Sequence, residues 1–357
     1  MASPAATAEV SVVLGTPAIL VDLDGPAGAD LGPSVPSRAA GAPGLPAVVV
    51  GLHPSGPGAV PPGVADLVDV VVADPGPVLA TVEAAPQASV TLALVLRASG
   101  SLGVADGLAV ESAAYSTLQA GAEFACWRAG RSRGGADAGS PTTAAAHPGG
   151  GDRSGSPLAG AIPTDRDAER RAGGQRAPVV RLERVGDELR ITLARPERHN
   201  AIDTAVRDQL VEALLVACAD RSVDRVVLAG AGPSFCSGGD LGEFGSLPDP
   251  ATAHLVRLTR SPARLLADLG PRLEVRIHGA CMGAGIEMAA FAGRVVARPD
   301  TLISLPELHL GLIPGAGGTV SLPRRIGRHR TAELALTAAP IDAGTALAWG
   351  LVEAIEP

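Results

Sequence analysis

The chain has 357 residues, 46% of them hydrophobic but only 2% aromatic, and a formal charge of −8. That length allows one large domain or two ordinary ones, with a core built from Ala, Val, Leu and Ile. All 29 basic residues are arginine, against 37 acidic residues, and no basic run occurs, which argues against a general nucleic-acid binder. Cys126, Cys218, Cys236 and Cys281 form no CxxC pair or metal-ligand spacing, so they read as small buried hydrophobes or free thiols of a reducing compartment. No apolar run reaches the roughly 18 residues of a membrane span. The uncharged stretch from Val10 to Val21 lacks a basic start and is interrupted by Gly15 and Pro17, so a signal peptide is not expected. The expectation is a soluble cytoplasmic protein.

Composition divides the chain into three. Residues 1–129 alternate short β-rich runs with Gly/Pro loops. Residues 130–177 are mostly Gly, Ala, Ser, Pro, Arg and Asp, with only Leu158 and Ile162 large and apolar, so this stretch predicts a flexible linker. Residues 178–357 carry an α/β pattern.

In the first part, Ala18–Asp22, Ala47–Leu52 and Val68–Ala73 predict strands, being β-branched, short and bounded by turn residues. Two helices are predicted next, from Val78 to Arg97 and from Val104 to Arg128. The second carries the i,i+3 pairs Tyr115/Leu118 and Phe124/Trp127, a bulky stripe that reads as core packing.

The second part opens with predicted strands Val179–Val185 and Leu189–Ala194. A loop through Arg198, His199 and Asn200 leads to a helix from Thr204 to Ala219 with Asp203 as N-cap. Arg225–Ala229 predicts a strand running into a Gly-rich loop from Gly230 to Gly239. Leu273, Val275 and Ile277 alternate with Glu274, Arg276 and His278, as in a strand with one polar face. A helix opens at Gly283 and runs to Phe291, Val295–Ala297 is a further strand, and the loop from Leu302 to Gly318 leads to terminal helices. Strands alternating with helices imply βα units and a largely parallel sheet.

Three small-residue loops stand out: Ser234-Phe235-Cys236-Ser237-Gly238-Gly239-Asp240-Leu241, Gly279 to Met288, and Leu305-Pro306-Glu307 followed by Gly311 to Thr319. Small residues let a ligand approach the backbone, and a helix N-terminus offers free N–H groups to developing negative charge. Two such loops side by side would make a two-donor oxyanion hole. Gly315-Ala316-Gly317-Gly318 is not followed by Lys-Ser/Thr, so a nucleotide P-loop is rejected.

From residue 179 to 357 the chain resembles the enoyl-CoA hydratase/isomerase (crotonase) superfamily. The resemblance rests on Arg195, Pro196, Asn200 and Ala201, on the Phe-Cys-Ser-Gly-Gly-Asp segment, on Gly-Ala-Gly-Ile-Glu, on Pro306-Glu307, and on Gly-Leu-Ile-Pro-Gly-Ala-Gly-Gly-Thr, in that order. It implies a crotonase-like ββα spiral fold and an acyl-CoA thioester as substrate with no further cofactor and no metal. It also implies a homo-oligomer, a trimer or a multiple of it, while the charge balance and the lack of a long apolar run lead to the expectation of no nucleic-acid or membrane partner.

By the same resemblance the backbone N–H groups of Ser237 and Ala284 bind the thioester oxygen, Glu287 and Glu307 are the catalytic carboxyls, and Asp240 lies beside the CoA pocket. Ala284 stands where the family often has Gly. Arg198 could meet a CoA phosphate. Ala201, Cys236, Gly239, Leu241, Gly283, Pro306 and Gly315 would complete the substrate site. Two carboxyls sharing one water can exchange the acid and base roles that hydration of a 2-enoyl thioester needs. Burial and mutual repulsion should raise at least one carboxyl pKa. Hydration is therefore the expected activity. Isomerase, thioester hydrolase and a non-catalytic acyl-CoA-binding subunit are the alternatives. His199, His278 and His309 read as structural. The family continues with further helices beyond the point matching Gly350 to Pro357. Residues 85–97 and 107–127 look similar to those helices, so the first half is expected to supply them.

Overall fold

Val-rich runs make the first sheet. The computed structural model describes residues 17–23, 44–55, 67–136 and 178–357. Strands β1 (Ala18–Asp22), β2 (Val48–Leu52) and β3 (Val70–Val72) pair in parallel in that order. Their side chains alternate between two apolar faces. Val48, Val50, Val70 and Val72 join the main core, and Val21, Val49 and Val71 join a smaller cluster. A sheet covered on both faces reads as continuous Val, as here.

Four helices follow where two are expected: α1 (Gly76–Ala84), α2 (Pro86–Ser99), α3 (Val104–Gln119) and α4 (Ala122–Ala136). The helix expected from Val78 to Arg97 breaks at Ala85, and its two halves meet at 112°. Pro86 has no N–H to continue the ladder and pushes the residue before it out of the helical region. The helix expected from Val104 to Arg128 breaks at Ala120 and Gly121. Glu123 then turns back to accept the Gln87 and Ala88 N–H groups at 2.7 and 3.0 Å, satisfying the start of α2. Helix α4 also runs through residues 130–136, which were expected to be linker. The rest of that stretch, 137–177, lies outside the described residues. Among the described residues no single helix is long and apolar enough to cross a membrane.

The second half forms β4 (Val180–Val185), β5 (Glu188–Leu193), α5 (Thr204–Ala219), β6 (Arg225–Gly230), α6 (Pro250–Arg260) and α7 (Pro262–Leu269). Then come β7 (Leu273–Ile277), β8 (Ala280–Met282), α8 (Ala284–Ala289), β9 (Arg294–Ala297) and β10 (Leu302–Ser304). The chain closes with α9 (Gly318–Ile326), α10 (Arg328–Thr337), β11 (Ile341–Asp342), α11 (Ala343–Trp349) and β12 (Ala354–Ile355). The Asp203 carboxylate caps α5 by accepting the Val206 N–H at 2.9 Å.

The large sheet runs β12-β9-β7-β6-β5-β4, all parallel except the β4–β5 hairpin, and β11-β10-β8 form a small third sheet. The polar face of β7 is used within the sheet. Glu274 is buried and pairs with Arg225, Arg276 and Arg294 from three adjacent strands. Burial pushes its carboxyl up, but the Arg276 and Arg225 bonds outweigh it and hold the pKa low.

One continuous buried core joins the halves, running through Val48, Leu92, Tyr115, Leu118 and Phe124 and on through Ile191, Leu228, Ile286 and Leu322. The stripe on α3 and α4 is buried there and not in a core of its own.

Candidate active site

Chain turns place the site. His199 and Asn200 both take left-handed backbone, with φ of 50° and 54°. The buried Asn200 amide holds this turn together. Its oxygen accepts the Arg195 N–H at 2.8 Å, and its nitrogen donates to the carbonyls of Ala231, Ser234 and Phe235. Asn200 is the only asparagine of the chain. Those bonds fix the 234–240 loop against the 195–202 loop, and Ile202 bridges to Gly239.

The same turn aims the His199 carbonyl at Ser237, whose N–H donates to it at 2.9 Å. Ser237 is therefore not available as an oxyanion donor, contrary to the expectation from sequence. Two residues on, the Gly239 N–H makes no hydrogen bond among the described residues, and neither does the Ala284 N–H at the start of α8. Gly238 lies between them with φ +100°. A Cβ there would sit 3.2 Å from the Met282 carbonyl oxygen and 3.9 Å from the Ala284 nitrogen. The two free N–H groups thus flank one spot where the 234–240 loop meets β8 and α8.

Glu287 lies in the first turn of α8, and Glu307 opens a 3-10 turn (Glu307–Leu310) just after Pro306. Both are buried, at 1% and 9% exposure. Glu287 Oε2 accepts the Ala316 and Gly318 N–H groups at 2.7 and 2.9 Å. Burial still pushes its pKa well above the usual carboxylate value, helped by the charges of Glu307 and Glu111. Burial likewise pushes Glu307 up to about 7, opposed by its own backbone N–H and aided by Glu111. Glu307 Oε2 is buried without a hydrogen-bond partner. Its Oε1 lies so close to Gly283 that a Cβ on that residue would approach to 2.4 Å. Two buried carboxyls whose pKa values are both raised by burial can pass a proton to or from a water.

The other expected residues fall around this centre. Arg198 pairs with Asp240 at 2.6 Å on the rim, the arginine half exposed. Leu241 is exposed and Ala201 is buried. Cys236 and Cys281 are fully buried opposite one another, and burial pushes the Cys236 thiol up to about 12, so neither is a nucleophile. His199 bonds Ser234 and His278 bonds the Gly232 carbonyl. Among the described residues no cluster of His, Cys, Asp or Glu could hold a metal.

Two residues of the first half that the sequence reading left out of the site belong to its surroundings. The Tyr115 ring packs on Gly315, where a Cβ would approach it to 2.4 Å. Burial pushes the Tyr115 hydroxyl pKa up, Arg257 pulls it back, and Glu307, Glu287 and Glu111 add to the rise. Glu111, on α3, is buried and bonds the loop beside Glu287. An acid at the centre of an apolar helix was the available signal for it. A cavity of about 280 Å³ opens beyond Tyr115, lined also by Phe124, Ile202, Asp240, Phe244 and Arg257 from both halves. Neither catalytic-pair candidate lines it, and Tyr115 does.

The family model for enoyl-CoA hydratase/isomerase matches residues 188–357. The 2,3-dehydroadipyl-CoA hydratase of Escherichia coli (strain K12) is 37% identical over 179 residues, covering 50% of this chain and 68% of that protein. The mevalonyl-coenzyme A hydratase SIDH of Beauveria bassiana is 33% identical, covering 47% and 63%. A crystal structure of an enoyl-CoA hydratase from Thermoplasma volcanium aligns at TM-score 0.47 with 33% identity, covering 50% and 72%. The chain spans about two thirds of the length of these curated relatives.

Proposed function

The chain belongs to the enoyl-CoA hydratase/isomerase family, and on that premise we propose that it adds water across the double bond of a 2-enoyl-CoA thioester. The observation that carries this reading is the pair of buried carboxyls, Glu287 and Glu307, one of which keeps an oxygen free of partners. In this reading the carboxylate of the pair takes a proton from water as the oxygen attacks Cβ, and the carboxyl partner delivers a proton to Cα. Negative charge develops on the thioester oxygen, where the Gly239 and Ala284 N–H groups receive it. The acyl chain extends past Tyr115 into the cavity edged by Phe124 and Phe244. No group beyond the CoA thioester is needed.

We also infer that residues 76–136 act as the helices that close this site, which explains why Tyr115, Leu118 and Phe124 enter the common core. The test is direct. Purified protein should deplete the enoyl absorbance of crotonyl-CoA or longer 2-enoyl-CoAs, with a 3-hydroxyacyl-CoA product. Release of free CoA without prior hydration would favour a hydrolase. Binding with no turnover of any enoyl-CoA would favour a non-catalytic subunit.

A further inference from the structure

Four consecutive N–H groups, from Ala316 to Thr319, alternate between two carboxylates. Ala316 and Gly318 donate to Glu287. Gly317 donates to Glu111 Oε1 at 2.7 Å, and Thr319 to Glu111 Oε2 at 2.8 Å, with the Thr319 hydroxyl adding a bond at 2.7 Å. Glu111 is 2% exposed and comes from the other half of the chain, 206 residues before Gly317. Three donors meet it, and buried donors of this kind are expensive to leave unmatched.

Building on the hydratase reading, we propose that Glu111 is a positioning residue of the active site, clamping the 316–319 loop in the shape that aims two N–H groups at Glu287. The alternation explains the need for a clamp. If the loop turned at Gly317 or Thr319, the donors to Glu287 on either side would turn with it. The charge of Glu111 has a second consequence. It raises the pKa of both Glu287 and Glu307, helping to keep a proton on the pair. The groups around Glu111 are Glu287 and Glu307, Tyr115 on its own helix, and Arg257 from α6. His254 of α6 is reached through Ser112 at 2.8 Å. Burial raises Glu111 itself to about 7, against the Thr319 and Gly317 bonds and the Arg257 charge. Removing the Glu111 charge lowers Glu307, which accepts nothing from the 316–319 loop, whereas Glu287 also loses loop bonds that hold it down.

Glu111→Gln tests this. Glutamine keeps the length but has one acceptor oxygen, so either Gly317 or Thr319 faces an amide NH₂ and loses its acceptor. In the full chain, kcat for crotonyl-CoA should fall roughly 10- to 100-fold with KM little changed, and the acid limb of the pH profile should move down as Glu307 loses the Glu111 charge. Glu111→Asp keeps the charge, so its limb should stay in place while kcat falls. A folded Glu111→Gln protein with wild-type kcat, or with lowered kcat and an unmoved limb, overturns the proposal. If Glu111→Gln does not unfold cooperatively, Glu111→Asp decides. Lowered kcat with an unmoved limb supports the clamp, and wild-type kcat overturns it. If the wild-type protein hydrates no enoyl-CoA, the hydratase reading fails by itself. The clamp is then judged by carboxyl ¹³C NMR with labelled glutamate. A Glu287 titration that falls less than that of Glu307 in Glu111→Gln, or rises, supports the clamp, and equal falls of the two refute it.

Discussion

Gly283→Ala separates the chemistry from the fold. Gly283 has φ 47° and ψ −121°, a backbone region essentially reserved for glycine. Holding alanine there costs about 1–3 kcal/mol. For a chain of this size that lowers the thermal midpoint by a few degrees. The larger effect is local. The new Cβ would lie 2.4 Å from Glu307 Oε1, whereas ordinary contact begins at 3.4 Å, so the carboxyl must retreat by about 1 Å. The backbone cannot yield instead, because Gly283 donates to the Ser304 carbonyl and accepts from the Glu287 N–H, both at 3.0 Å. A misplacement of that size at a reacting group costs on the order of 10²-fold in rate. Crotonyl-CoA hydration and thermal unfolding should be measured on the same preparations. Gly327→Ala is the control, since Gly327 also has positive φ, at 81°, but nothing lies within 4 Å of its Cβ position. It should lose stability and keep kcat. A Gly283→Ala protein with a lowered midpoint and wild-type kcat would mean that the Glu307 carboxyl has no part in the reaction.

Glu287→Gln and Glu307→Gln should each cut hydration by on the order of 10²-fold or more, and full turnover in both would refute the two-carboxyl mechanism. Glu307 titrates near 7 folded but near 4.5 unfolded, so the unfolded chain ionises first and this group removes stability as pH rises from 4.5 through 7. Glu307→Gln should therefore unfold at a higher temperature than wild type at pH 8 and show no such gain at pH 4, read by calorimetry. Arg257 lies 4.5 Å over the Tyr115 ring and donates to Ser112, Ser116 and Gln119, tying α6 to α3. Arg257→Met should cost roughly 2–4 kcal/mol in denaturant unfolding. A protease cut confined to residues 137–177 should leave the two pieces associated and active. Separation of two stable fragments on gel filtration would show that the first half is an independent domain.

How much of this was legible in the sequence depended on range. Strand Ala18–Asp22, helix Thr204–Ala219 and its Asp203 cap are local patterns, and the structure has them at the expected residues. The helix read from Val78 to Arg97 is two helices because apolar periodicity carried the reading past Pro86, whose missing N–H is also a local fact. The glycine-rich segments marked the right loops but not the right donor. Whether Ser237 or Gly239 keeps a free N–H depends on the His199 carbonyl, aimed by a left-handed turn that Asn200 holds from outside the motif. Gly315-Ala316-Gly317-Gly318 alone says only that backbone N–H groups are exposed to some partner. Of the four donors from Ala316 to Thr319, two go to Glu287, a neighbour in the motif order, and two to Glu111, which no spacing rule connects to them. A backbone loop cannot hold such a shape by itself, because each N–H turned toward one acceptor constrains the next. A second carboxylate from another helix is what makes the alternation stable. The part of the chain that resembles no catalytic motif therefore shapes the geometry at Glu287.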